Sequence, residues 1–221
     1  MKKFLSVLLV AVIAVTSVFA VDMSIGGELG FGQHAEFLKA GEVKTTKTEN
    51  VIPVKVDFLV AMDDLPLAFR FNFGTDVVKM TAIKSGDYET SKTTYKTAPA
   101  LAVSAAAYYK YDVNKKFYVM AGLGLGYDML DLDTYRGAET VKNISNKRHM
   151  LSMYIDTQVR YEVVDHVELF GGFKFGGNVM DKDVYKTSNT KTEINHSDLS
   201  GKNVKYSNII WGLSVGAAYK F

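Results

Sequence analysis

Few side chains in this sequence are able to do chemistry. The 221 residues include four histidines and no cysteine. The lack of cysteine excludes a thiolate metal centre and a disulfide framework. His34, His149 and His196 fall in or beside long polar stretches, and His166 falls in a short turn. His149 with Ser152, and His196 with Ser197 and Asp198, supply the residue types of a base and a nucleophile. Proximity in sequence does not make a triad, because the roles depend on geometry in space. Solvated loop histidines are therefore the expectation. There is no His-Glu-x-x-His, no paired histidine spacing and no acidic calcium loop; Asp181-x-Asp183 is too short to count as one. The sequence predicts no metal and no cofactor. Gly26-Gly27-Glu28-Leu29-Gly30-Phe31-Gly32 and Gly122-x-Gly124-x-Gly126 could pass for phosphate loops, but no helix pattern follows them. Alternating glycines mark positions where backbone or long side chains pass closely.

The elements that must position these residues announce themselves by alternation. Residues 1–20 are different: Met1-Lys2-Lys3, an apolar run from Phe4 to Ala14, and small residues before Ala20. That layout predicts a secretory signal peptide cut between Ala20 and Val21. Removing Lys2 and Lys3 from the 26 basic residues leaves 24, equal to the 24 acidic ones. A neutral mature chain argues against nucleic acid as a partner. From residue 21 on, no convincing helix is present. Eight segments of ten to fifteen residues instead show the period-2 pattern of strands with two different faces. They run over Asp22–Gln33, Val51–Met62, Leu67–Val78, Ala100–Tyr111, Phe117–Asp128, Met150–Glu162, Val167–Asn178 and Ser207–Phe221. Thirteen Phe and thirteen Tyr against three Pro suit strands.

One face of every segment is apolar. The other is small or charged, and it carries the second constellation. Lys55, Arg70, Lys110, Arg160, Lys174 and Lys220 face Asp57, Asp156, Glu162 and Glu168, with Glu28 and Asp128 toward the ends. Periodicity does not say which face points out, but size does. An eight-stranded barrel has an interior just wide enough for side chains. Rows of Val, Leu, Phe and Tyr from eight strands would not fit, whereas Gly, Ala, Ser and a few paired charges would. The apolar face therefore points into lipid, and the charges form a polar lumen network, because unpaired charges in a narrow interior are costly.

Connections alternate in length. Short ones follow strands two, four and six; polar stretches of about 16 to 28 residues follow strands one, three, five and seven, all at one end, as in outer-membrane barrels. Their Thr-rich parts favour hairpins continuing beyond the lipid. Phe31, Phe73, Tyr127 and Phe175 near the long loops form one aromatic ring. Tyr109, Tyr111, Phe117, Tyr161, Tyr219 and Phe221 near the short turns form another, as expected at two membrane–water boundaries.

The C-terminal run Ile209-x-Trp211-x-Leu213-x-Val215-x-Ala217-x-Tyr219-Lys220-Phe221 resembles the last strand of bacterial outer-membrane proteins. The whole chain resembles the small OmpA/OmpX/OmpW-like barrels. The resemblance implies an all-β, eight-stranded antiparallel up-and-down transmembrane barrel over residues 21–221. It implies location in a bacterial outer membrane, with outer-membrane lipid and the outer-membrane assembly machinery as partners. Tyr219 and Phe221 occupy the positions of the family's assembly signal. For function it leaves three expectations open: a structural or adhesin-like protein contacting an extracellular ligand or host protein through its loops, a passive channel for small solutes, and, third, a lipid-modifying enzyme. The first is preferred, with no catalysis expected.

Overall fold

The computed structural model describes residues 21–86, 88–89, 96–136, 145–187, 190–196 and 204–221. The expected leader lies outside these residues; Val21 opens the first strand. In chain order the strands are β1 (Val21–Ala40), β2 (Val43–Met62), β3 (Leu67–Ser85), β4 (Tyr88–Glu89), β5 (Ala98–Asn114), β6 (Phe117–Asp131), β7 (Ser145–Val164), β8 (Val167–Lys186), β9 (Lys191–Asn195) and β10 (Val204–Lys220). Eight of them form a closed antiparallel ring, β1-β2-β3-β5-β6-β7-β8-β10, sealed by β10 on β1. The short β4 extends β3, and β9 pairs with the outer end of β8. Closure follows from the medium, since an open sheet edge in hydrocarbon would leave backbone groups without partners. No helix among the described residues is long and apolar enough to cross a membrane.

The sidedness is inverted relative to a water-soluble protein. Leu123 is 68% exposed and Val215 66%, whereas Asp57 and Arg160 are fully buried. Outward Val, Leu, Ile and Phe make a continuous apolar belt, which in water would be an aggregating surface and in lipid is solvated. The inward glycines have the packing role expected of them. A Cβ on Gly124 would run into the Tyr154 ring, and one on Gly216 into the Phe170 ring.

The turns also follow from local chemistry. Asn114 Oδ1 accepts the backbone N–H groups of Lys116 and Phe117, 2.9 and 3.0 Å away. His166 takes a positive φ of 68° in the two-residue β7–β8 turn, and its ring stacks on Tyr219.

The strands are longer than their apolar cores. Pairing of β1 with β2 continues to Ala40↔Val43, so the segment expected as the first long loop is a raised hairpin. It closes through Gly41 at φ 61°, which a glycine adopts without steric cost. β7 and β8 likewise continue to Ser145↔Lys186. The β8–β10 seam is short. It runs from Tyr219↔Val167 to Ile210↔Gly176, whereas β1–β10 runs from Ser24↔Lys220 to Ala40↔Val204.

Leu123→Arg, on the lipid face at mid-strand, is expected to cost about 2–4 kcal/mol in equilibrium unfolding from lipid vesicles. If Arg were tolerated equally at Leu123 and at Gly124, the assigned facing would be wrong.

Candidate functional site

The lumen is crossed by two layers of ion pairs with a cavity between them. The inner layer lies toward the short turns. Arg70, on β3, reaches Glu28 on β1, Asp57 on β2 and, at 3.3 Å, Asp156 on β7. Arg160, on β7, donates to the second oxygen of Asp57 at 2.5 Å, to Glu168 on β8 at 3.4 Å and to Ser24 Oγ at 3.2 Å. Phe170 lies against both guanidinium groups, its centroid 5.7 Å from that of Arg70 and 4.3 Å from that of Arg160. Tyr108 donates to Asp156 at 2.8 Å, Tyr118 donates to Glu168 at 3.1 Å, and Asn72 donates to Glu28 at 3.2 Å. Each arginine thus bonds carboxylates from several strands, the multidentate pairing to which a planar guanidinium is suited.

Most of the sequence-predicted lumen residues meet here or just above. Lys55 pairs with Asp76 at 2.9 Å, and Lys174 stands over the Tyr154 ring, 5.9 Å from its centroid. Lys110 and Glu162 do not join the network. Lys110 lies at the short-turn end, paired with the exposed Asp112 at 3.2 Å. Glu162 is half-buried two residues from the end of β7, where its backbone N–H bonds Lys116 O. Lys110 Nζ also lies 5.2 Å from the Tyr118 ring centroid, so these charges find partners at the short-turn rim rather than in the centre. Lys220 behaves in the same way, paired with Asp22 at 2.5 Å. With these cations at the rim, Glu28, Asp57, Asp76, Asp128, Asp156 and Glu168 outnumber Lys55, Arg70, Arg160 and Lys174 inside. Six acidic groups thus meet four basic ones in the inner lumen, where the sequence placed six of each.

A cavity of about 80 Å³ separates the two layers, lined by Lys55, Asp76, Asp128, Tyr154, Lys174 and Trp211, among others. The outer layer closes the mouth and was not anticipated. Arg148 on β7, 1% exposed, bonds Glu36 on β1, Asp181 on β8 and, at 3.5 Å, Glu49 on β2. Lys47 pairs with Glu49 at 2.9 Å. Tyr135, from a helical turn over Leu132–Arg136, donates to Glu49 at 2.5 Å and seats its ring among Val78, Met80, Ala98, Ala100, Leu130 and Met150. Arg136 reaches Asp183 at 3.3 Å. His34 and His196 complete the layer. His34 Nδ1 lies 3.1 Å from Glu49, and His196 Nε2 lies 3.4 Å from Asp183.

The electrostatics of this outer layer have a definite sign. Burial alone would raise the Glu49 pKa, but Lys47, Arg148 and the His34 hydrogen bond outweigh it and hold the carboxyl well below its ordinary value. Burial is likewise overcome at Asp181, where Arg148 brings the pKa down to about 2, and at Asp183, where His196 lowers it. Arg148 in turn is held above its ordinary value; Glu36, Glu49 and Asp181 outweigh the cost of its burial.

Of the catalytic pairings considered from sequence, the one that lies within the described residues, His149 with Ser152, is not assembled. His149 and Ser152 are an odd number of residues apart on β7 and take opposite faces. His149 Nδ1 meets Tyr127 Oη at 2.5 Å, and Ser152 is buried in the lumen, donating to Gly126 O. Ser197 and Asp198 lie outside the described residues. At the other end, Tyr219 and Phe221 face outward and meet edge to face, centroids 5.3 Å apart.

A closed ring with an apolar exterior and a charged, packed lumen defines a transmembrane β-barrel of the outer-membrane class. The comparisons agree. The fold matches the outer-membrane protein OprG of Pseudomonas aeruginosa with a TM-score of 0.53 at 15% identity, covering 92% of this chain and 97% of that one. It matches the outer-membrane protein AlkL with a TM-score of 0.52 at 13% identity, covering 90% of each chain. It matches a major outer-membrane protein of Thermus thermophilus with a TM-score of 0.51 at 13% identity, covering 91% of this chain and all of that one. No family model matches the sequence, and no curated protein matches it.

A carboxylate whose folded pKa is depressed stabilises the fold above its unfolded pKa and loses that contribution as pH falls through the folded one. The outer layer should therefore hold from neutral pH to about 4 and loosen between about 4 and 2. Tyr135, buried in this layer and bonded to Glu49, is the reporter. The near-ultraviolet tyrosine circular dichroism should change across that acid window; an unchanged spectrum through it would contradict the assignment. Deletion of Phe221 is expected to reduce the folded, heat-modifiable fraction recovered in membranes, read on unboiled gels.

Proposed function

We propose that this protein serves in the bacterial outer membrane as a closed barrel presenting a raised β rim to the exterior, in a structural or adhesin-like role without catalysis. The observation that carries this reading is the pair of ion-pair layers. Arg70 and Arg160 tie β1, β2, β3, β7 and β8 together across the inner half of the lumen. Arg148 ties β1, β2, β7 and β8 across the mouth. Opening either layer leaves buried carboxylates unpaired, which costs about 3–5 kcal/mol per broken pair. A pore meant to conduct at rest would not be cross-tied in this way.

The outward surface supports the same reading. The β1–β2 hairpin projects as paired strand to a two-residue tip, with Lys39, Lys44 and a run of threonines along its sides. Function on such scaffolds commonly sits on what the rigid barrel holds up. The partners expected are outer-membrane lipid along the apolar belt, the assembly machinery at Tyr219 and Phe221, and an extracellular ligand or host surface at the rim.

A second reading, a passive channel for small solutes, draws on the cavity between the layers and on the likeness of fold to OprG and AlkL. Planar-bilayer recording separates the two. The wild-type protein is expected to show no reproducible conductance, and Arg70→Ala combined with Arg148→Ala is expected to show it; steady wild-type openings would favour the channel. In parallel, cells displaying the protein should adhere to an immobilised extracellular-matrix layer. They should lose adhesion when Lys39, Lys44, Thr45 and Thr46 at the hairpin end are replaced by Gly and Ser, with Lys47 kept and the barrel still heat-modifiable.

A further inference from the structure

The outer layer contains two clusters of imidazole and carboxylate groups, and their hydrogen bonding distinguishes them. In the first, His34 faces Glu36 and Glu49. Asn178 Nδ2, which also donates to Asp181 Oδ2 at 3.4 Å, lies 3.2 Å from His34 Nε2. An amide nitrogen only donates, so His34 Nε2 accepts and Nδ1 carries the proton, donated to Glu49 at 3.1 Å. That nitrogen is in use and has no lone pair to offer.

The second cluster is arranged the other way round. The backbone N–H of His196 donates to Asp181 O at 2.8 Å, which fixes the residue above β8. Its Nε2 points at Asp183 Oδ1, 3.4 Å away. That oxygen is buried and has no well-formed hydrogen bond, since Arg136 and Tyr185 both bond the other one, Oδ2. In the tautomer that turns the Nε2–H to Asp183, the Nδ1 lone pair faces Glu36 Oε2 at 4.0 Å and Asp181 Oδ1 at 3.9 Å. These three electron-pair donors face one another across a gap that Arg148 borders, through Glu36 Oε1 and Asp181 Oδ1, but does not fill. The separations are too long for a shared proton to make good hydrogen bonds to both carboxylates.

We propose that Glu36 Oε2, Asp181 Oδ1 and His196 Nδ1 form a site for a divalent first-row transition metal of the zinc class, with Asp183 orienting His196 from behind. An imidazole among the ligands favours zinc, copper, nickel or iron over magnesium or calcium. Zinc bonds imidazole nitrogen and carboxylate oxygen at about 2.0–2.2 Å, so tetrahedral neighbours stand roughly 3.4 Å apart. The two distances to His196 Nδ1 need to close by about half an ångström to reach that spacing, and all three atoms already lie within 4.8 Å of one another. Arg148 borders the site without filling it. It grips Glu36 through Oε1, which leaves Oε2 free to ligate, and its Nε donates to Asp181 Oδ1 at 2.7 Å, which leaves that oxygen a second lone pair for the ion. His196 is partly exposed, which gives the ion a path from outside and leaves the fourth position to water. The carboxylate behind the ligating ring is the usual outer-shell partner of metal-bound histidine. This site is independent of whether the barrel conducts or adheres.

The test uses the full mature protein folded in detergent, titrated with Zn²⁺ by calorimetry and with Co²⁺ by visible absorption. One equivalent of Zn²⁺ should bind, displacing Co²⁺, with excess Ca²⁺ and Mg²⁺ unable to compete. Asp183→Asn should weaken Zn²⁺ binding about tenfold or more. His196→Ala should weaken it at least as far, whereas His34→Ala should leave it within about twofold. Heat-modifiable mobility on gels confirms that each variant is folded. If His196→Ala does not fold, Asp183→Asn and Glu36→Gln decide. The proposal falls if the wild type takes up no Zn²⁺, if these variants bind as tightly as wild type, or if His34→Ala loses as much as His196→Ala.

Discussion

The organising constraint is the width of the ring. Eight strands close on an interior that admits side chains and almost no bulk water, yet period-2 alternation in a lipid-facing strand sends every polar residue there. Charges so placed cannot be solvated individually. The molecule satisfies them by sharing: Asp57 accepts from both Arg70 and Arg160, and Arg148 is bound by carboxylates from three strands. Each guanidinium then acts as a cross-brace. The small inward residues, including Gly124 and Gly216, make room for the rings that pack between the braces.

Much of this was legible in the sequence because strands make orientation arithmetic. Lys55, Asp57, Arg70, Asp156, Arg160 and Glu168 lie at even spacings within apolar runs, and the size argument fixed which face they take. The partners were less legible. Arg148 and Glu36 are 112 residues apart, and no local pattern joins them. Lys110, Glu162 and Lys220 obey the same parity as the inner charges but lie where the strands leave the lipid, and parity carries no information about depth.

The outer layer escaped for a different reason. Its residues lie where the apolar half of the alternation fades, so Glu36, Glu49, Arg148 and Asp181 looked like loop polarity. They are on strands all the same. On β1 and β7 the inward parity continues unbroken through His34, Glu36 and Arg148. On β8 an irregularity opposite Leu151 and Ser152 shifts it, so that inward positions change from even to odd and reach Asp181 and Asp183. Another irregularity sits opposite Thr48 and Glu49 on β2. The available signal was the spacing His34-x-Glu36 followed across the chain by Asp181-x-Asp183, in phase with the strands only once the shift is allowed for.

A hoop is no stronger than its shortest joint, and in this one the joint lies between β8 and β10. Beyond Ile210 and Gly176 the two staves part. Asn208 bridges them by its side chain, accepting the N–H of Asn178 and donating to its carbonyl, while the upper length of β8 turns to β9 instead. Backbone amides bordering that cleft lack the protection enjoyed elsewhere around the circumference. Any breathing of the wall that admits water or a lipid tail sideways would start there, next to Trp211 and under the braced lid.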